Sequence, residues 1–253
     1  MKNVIGKLSE IKNGEVGMII FSDLKQEIIM SVNEELTVPL ASAAKVAIAF
    51  CVAKIVENGH HHWNEMVEDI TFNPKEDSHE IYPHLQGMNS LALRDAVEVM
   101  IACHDSFVAN AVVKHYGGWK RINEDLKSYF NTMNVTENPL DMDNSGELSQ
   151  LIELIRFIYQ GYKMNQQIWI PIINGMVRQQ GQTEGIPNYV LHHMTGGLKQ
   201  VVVDIGILGE FSQNPFLYVI GARNLPDRID NQFADEKISE AMRLVYEEYR
   251  KQA

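Results

Sequence analysis

Ser42-Ala43-Ala44-Lys45 follows Val38-Pro39-Leu40 and opens an apolar run from Val46 to Val56. Positions i and i+3 share one face of a helix. A helix begun near Ser42 therefore brings the Lys45 amine within reach of the Ser42 hydroxyl. A serine hydroxyl is a weak nucleophile until a neighbouring base takes its proton. A lysine held in apolar surroundings favours its neutral form and can be that base. The chemistry such a pair suits is acyl transfer. The same residues also suit plain helix initiation, with Ser42 as a cap, so the pair gains meaning only from what surrounds it.

The elements that must position the pair can be read along the chain. Residues 1–13 read as an amphipathic helix stopped by Lys12-Asn13-Gly14. Two β-branched apolar runs, 15–22 and 26–32, are separated by Asp23-Leu24-Lys25 and predict a hairpin. From Pro39 to about Gly185 the periodicity is helical. Helices are expected over 43–58, 91–103 (capped by Ser90, with Asp95 in its first turn), 107–116, 119–132 and 147–162, the last capped near Ser145. Strands return at 189–194, 201–209 and 216–222, and a charged helix over 235–252 closes the chain. The order predicts one antiparallel sheet built from both chain ends (1–38 and 186–253), with a helical lobe (39–185) and a cleft between the two.

The bulk composition narrows the partners. With 253 residues, 45% of them hydrophobic, the chain can bury a large core without staples. A net charge of −11 without a basic block argues against nucleic acid and against an acidic membrane surface. Cys51 and Cys103 sit in apolar helical runs and read as small core residues. The apolar run over 46–56 is too short to span a bilayer, and no secretory leader is visible. A cytoplasmic location is expected if Met1 is the natural start, and an exported one if a leader has been removed.

Three segments then fall in a telling order. After Ser42-Ala43-Ala44-Lys45 comes His104-Asp105-Ser106, ending in Ala109-Asn110, and later Met194-Thr195-Gly196-Gly197 lies on a strand. The arrangement resembles the class A serine β-lactamases and the wider penicillin-recognising serine hydrolases, whose three boxes are S-x-x-K, S-D-N and K-T-G. The resemblance spans nearly the whole chain, but only the first box is intact. It implies an α/β (α+β) fold: a five-stranded antiparallel sheet with terminal helices, plus an all-helical lobe.

The resemblance also implies roles. Ser42 would be the nucleophile of an acyl-enzyme, and Lys45 would take its proton or organise the base that does. The backbone N–H groups of Ser42 and Gly197 would hold the oxyanion, Thr195 and Gly196 would flank the substrate, and Asn110 matches a structural asparagine. His104 stands where the family has a proton-relaying serine; an imidazole with its ordinary pKa near 6.5 could relay a proton too. Ser106 replaces an asparagine that binds the substrate amide, and Met194 replaces a lysine that attracts the substrate carboxylate. Glu137-Asn138-Pro139-Leu140-Asp141 is similar to the loop whose glutamate activates the deacylating water, in shortened form. Glu137 is thus either that group or an ordinary exposed carboxylate.

Other features admit two readings. His60-His61-His62, with His79 and His84 downstream, lacks ligand spacing, because neighbouring histidines on a loop seldom converge; no metal is expected. Of His192 and His193, one should face the cleft. Tyr82 falls where the family places a cleft wall and is either a substrate-site residue or a surface tyrosine, and Trp63, Trp119 and Trp169 read as core. Arg223, at a strand end, is a candidate anion contact. The expected function is a serine hydrolase or acyltransferase acting on an ester, amide or β-lactam carbonyl of a small molecule or peptide, and a poor penicillinase. The alternative is a non-catalytic or single-turnover penicillin-binding sensor. No cofactor is implied.

Overall fold

The computed structural model describes residues 1–252. Helix α1 (Lys2–Leu8) precedes strands β1 (Glu15–Ser22), β2 (Glu27–Val32) and the short β3 (Thr37–Pro39). A 3-10 turn over Ala41–Ala43 leads into α2 (Ala44–Glu57). Strand β4 (Met66–Glu68), helix α3 (Ser78–Ile81) and strand β5 (Ser90–Ala92) follow, then α4 (Leu93–Ala102), α5 (Ser106–Tyr116) and α6 (Trp119–Lys127). Strand β6 (Ser145–Glu147), α7 (Leu148–Met164) and α8 (Gln166–Arg178) complete the middle of the chain. Strands β7 (Leu191–Leu198), β8 (Val201–Leu208) and β9 (Phe216–Arg223) and helix α9 (Phe233–Arg250) close it.

The sheet is antiparallel in the order β2-β1-β9-β8-β7, drawn from both chain ends as the sequence predicts. The inner strands β1, β8 and β9 are buried almost throughout because both faces are covered, whereas the edge strand β2 is largely exposed. Ile19, Phe21, Val203, Ile205 and Val219 join the core shared with the helices that follow Ser42. Met18, Ile20, Tyr218 and Ile220 join a second core with Val4 and Leu8 of α1 and Ile238, Met242 and Val245 of α9. Helix α2 is buried on almost every side, as befits a helix apolar all round. Lys45 is the one charged residue among its buried positions. Cys51 and Cys103 are buried and unbridged.

Four details differ from the sequence reading. Ser90 does not cap α4: Ser90–Ala92 pairs with Met66–Glu68, and the helix starts at Leu93. Ser145 likewise lies in a strand paired with β3, and α7 starts at Leu148. Helix α8 has no counterpart in the sequence reading because Pro171, normally a helix breaker, lies inside it. Strand β7 runs on through Thr195, Gly196 and Gly197 to Leu198, although glycines weaken a strand. Among the described residues no helix is long and apolar enough to cross a membrane.

Candidate active site

Lys45 Nζ lies 3.1 Å from Ser42 Oγ, the i, i+3 contact expected from the spacing. Lys45 is 3% exposed, and burial pulls its pKa down to about 8 against the opposing pull of the Glu76 and Asp105 carboxylates. A readily accessible neutral amine thus adjoins a serine hydroxyl. Ala41, just before Ser42, has φ +46°, a left-handed conformation that is strained for a residue with a Cβ. Asn144 braces this turn: its backbone carbonyl accepts Leu40 N–H at 2.7 Å, and its side-chain Nδ2 donates to the Ala41 carbonyl at 3.0 Å. Sequence reasoning missed Asn144, whose partners lie about a hundred residues away in the chain.

The segment His104-Asp105-Ser106 turns sharply into α5. His104 has φ +55°, and Asp105 caps the helix by accepting the Phe107 and Val108 N–H groups. Asn73, another residue without a sequence signal, donates its backbone N–H to Asp105 and its side-chain amide to Ser106 Oγ at 3.3 Å. Burial drives the His104 pKa down to about 4, helped by the Lys45 charge. This corrects the expectation of an imidazole titrating near 6.5: His104 is neutral at pH 7. Its Nε2 lies 2.8 Å from Gln179 Nε2.

On β7, Gly196 explains itself by sterics. A Cβ there would lie 2.2 Å from the Leu40 carbonyl oxygen and 3.1 Å from Ala43 N, so only glycine lets the strand touch the turn bearing Ser42. Thr195 Oγ1 faces Gln179 Nε2 at 3.5 Å. Gly197 is exposed, and a Cβ there would lie 2.9 Å from the Arg228 guanidinium, which is anchored to Asp235, Leu198 and Val201. Met194 is fully buried in the main core and offers no surface to a ligand, a correction to its expected substrate contact. His192 and His193 are both buried, which overturns the expectation that one faces the cleft. His192 stacks near Phe211. His193 pairs with Asp204 at 2.9 Å, and Tyr218 donates to the same carboxylate. Burial alone would lower the His193 pKa, but the Asp204 charge and hydrogen bond outweigh it and raise the pKa.

Beneath Lys45 lies a cavity of about 20 Å³, room for one water. Glu137, Asn110, Asn144 and Ser106 help to line it. Two of these lining residues, Asn110 and Asn144, each have a buried Oδ1 without a partner. Glu137 is itself solvent-exposed on its loop.

Residues 1–249 match the β-lactamase enzyme family. The chain belongs to that family. Solved structures share the β-lactamase fold: PBP-A, at 19% identity with a TM-score of 0.82, covering 99% of this chain and 97% of that one; a point mutant of PBP-A, described as an acyl-enzyme complex with penicillin-G, at 20% identity, a TM-score of 0.82 and coverage of 99% and 96%; and a β-lactamase from Chitinophaga pinensis DSM 2588, at 16% identity, a TM-score of 0.79 and 97% of both chains. No curated protein matches. In this class A β-lactamase-like chain, two further sequence candidates fall outside the site. Tyr82 is buried with its hydroxyl bound to Glu98 at 2.9 Å, so it is a packing residue and not a cleft wall. Arg223 is spent on Glu15 and the Thr37 carbonyl. A depression of about 970 Å³ between α1 and the β1–β2 region holds neither Ser42 nor Lys45.

Proposed function

We propose that this β-lactamase-like hydrolase works through a Ser42 acyl-enzyme on esters or amides and turns over penicillins poorly. The observation that carries the reading is the 3.1 Å contact between Ser42 Oγ and a buried lysine whose pKa is about 8. The neutral Lys45 amine takes the Ser42 proton as Oγ bonds to the substrate carbonyl carbon. The carbonyl electron pair moves to oxygen, where the backbone N–H groups of Ser42 and Gly197 hold it; one such donor is worth roughly 3–4 kcal/mol. When the carbonyl re-forms, the bond to the leaving group breaks, and the Lys45 ammonium returns the proton to it. His104, neutral at pH 7, orients groups by hydrogen bonding and is not a charged acid. A water seated in the cavity under Lys45 is the natural nucleophile for hydrolysis of the ester, with Glu137 or Lys45 as its base.

The substrate preference follows from what is missing. Met194 supplies no cation for a carboxylate, and Ser106 offers a shorter, single hydroxyl where the family has an amide. Both changes disfavour penicillins relative to neutral esters. A single-turnover, penicillin-binding role is the second reading, favoured by the exposure of Glu137, which leaves its carboxylate unfixed for deacylation. Assaying a chromogenic ester and a fluorescent penicillin with wild type and Ser42→Ala separates the two. Ester turnover abolished by Ser42→Ala supports the hydrolase. A lasting penicillin adduct without turnover supports the second reading.

A further inference from the structure

Away from Ser42, side chains from three segments converge near the C-terminal end of α5, roughly 14 Å along that helix from Ser106. His61 lies in the loop after α2, Glu65 just before β4, and His115 in the last turn of α5. His61 Nδ1 is 2.6 Å from Glu65 Oε2, and His115 Nε2 is 3.3 Å from the same oxygen. One ligand-capable atom from each residue lies within 4.8 Å of the other two. The histidine triplet itself does not converge. Its middle member instead meets a glutamate four residues on and a histidine over fifty residues away.

Two imidazole nitrogens and one carboxylate oxygen are a donor set suited to zinc and its neighbours among divalent transition ions. Tetrahedral bonds of about 2.0–2.1 Å keep ligand atoms about 3.3 Å apart. The His115–Glu65 pair has that separation, and the His61–Glu65 pair, at 2.6 Å, attains it by opening about 0.7 Å. The remaining carboxylate oxygen, Oε1, accepts the His62 backbone N–H at 2.8 Å, the outer contact that typically fixes a ligating carboxylate. Behind the rings, Val52, Ile55, Leu93 and Val112 form an apolar wall. The side chains remain 22–33% exposed, which leaves an ion a path in.

We propose that His61, Glu65 and His115 bind one zinc-class divalent ion, with water in the fourth position, and that the ion ties the end of α5 to the segment between α2 and β4. The test uses tag-free, chelator-stripped full-length protein titrated with zinc chloride against a fluorescent chelator, and with cobalt(II) followed by visible absorption. One equivalent of zinc should bind, the Tm should rise, and cobalt should give the intense visible bands of a four-coordinate site. Glu65→Gln and His115→Ala should each weaken zinc binding at least about tenfold, whereas His60→Ala should leave it unchanged. Circular dichroism checks that each variant folds; His61→Ala, on a loop, replaces any that does not. Absence of saturable one-equivalent binding, or full binding retained in the folded ligand variants, overturns the proposal.

Discussion

Gln179 Nε2 approaches His104 Nε2 to 2.8 Å while Gln179 Oε1 accepts the Gly181 N–H at 3.0 Å. The second contact decides which end of the amide is which, so the first is an N–H donated to an unprotonated imidazole nitrogen. His104 is therefore an acceptor at Nε2 and a donor at Nδ1. Gln179→Glu places a carboxylate beside that nitrogen and should lift the His104 pKa from about 4 by roughly one to two units. NMR titration of the ring reads this directly; an unmoved midpoint would contradict the contact.

Lys45 sets a pH dependence with a definite sign. Acylation needs its neutral form, so kcat/KM for a neutral ester should rise with pH through about 8. Glu76→Gln removes a carboxylate that holds the ammonium in place, and the midpoint should fall by roughly half a pH unit. A profile identical to wild type would dissociate Glu76 from the site.

The same lysine should trade stability for activity. Its folded pKa lies below the unfolded value of 10.5, so the unfolded chain binds more protons between about pH 8 and 10.5, and stability rises with pH across that window. Lys45→Met removes the penalty, about 3 kcal/mol at pH 7 if the packing is kept. The Tm should rise while kcat/KM falls by roughly 10²–10⁴. A lower Tm with activity retained would refute both roles.

Two backbone positions should respond in opposite directions. Ala41→Gly relieves the left-handed strain and should stabilise the fold by about 1 kcal/mol. Gly196→Ala drives a Cβ against the Leu40 carbonyl and should cost about 3 kcal/mol and most of the ester activity. Denaturant titration of both variants checks the pair.

The sheet and the Ser42–Lys45 pair were legible in the sequence because each is carried by local periodicity: strand runs at both chain ends, and a four-residue spacing at one helix start. What was not legible depends on contacts between distant segments. Asn144 reaches Ala41, Asn73 reaches Ser106, and Gln179 reaches His104 at the end of a helix that Pro171 obscured. The His104 pKa likewise follows from burial, which residue type does not reveal. Tyr82 and Met194 were misplaced for the same reason: position along the chain suggested a cleft, whereas packing buried both.

The most direct test is intact-mass analysis of the protein mixed rapidly with an activated ester, followed by peptide mapping of the adduct. A Ser42 acyl-enzyme requires a transient mass increase equal to the acyl group, mapped to the peptide containing Ser42 and absent in Ser42→Ala. Turnover without any acyl adduct on that peptide, or an adduct that persists in Ser42→Ala, would contradict it.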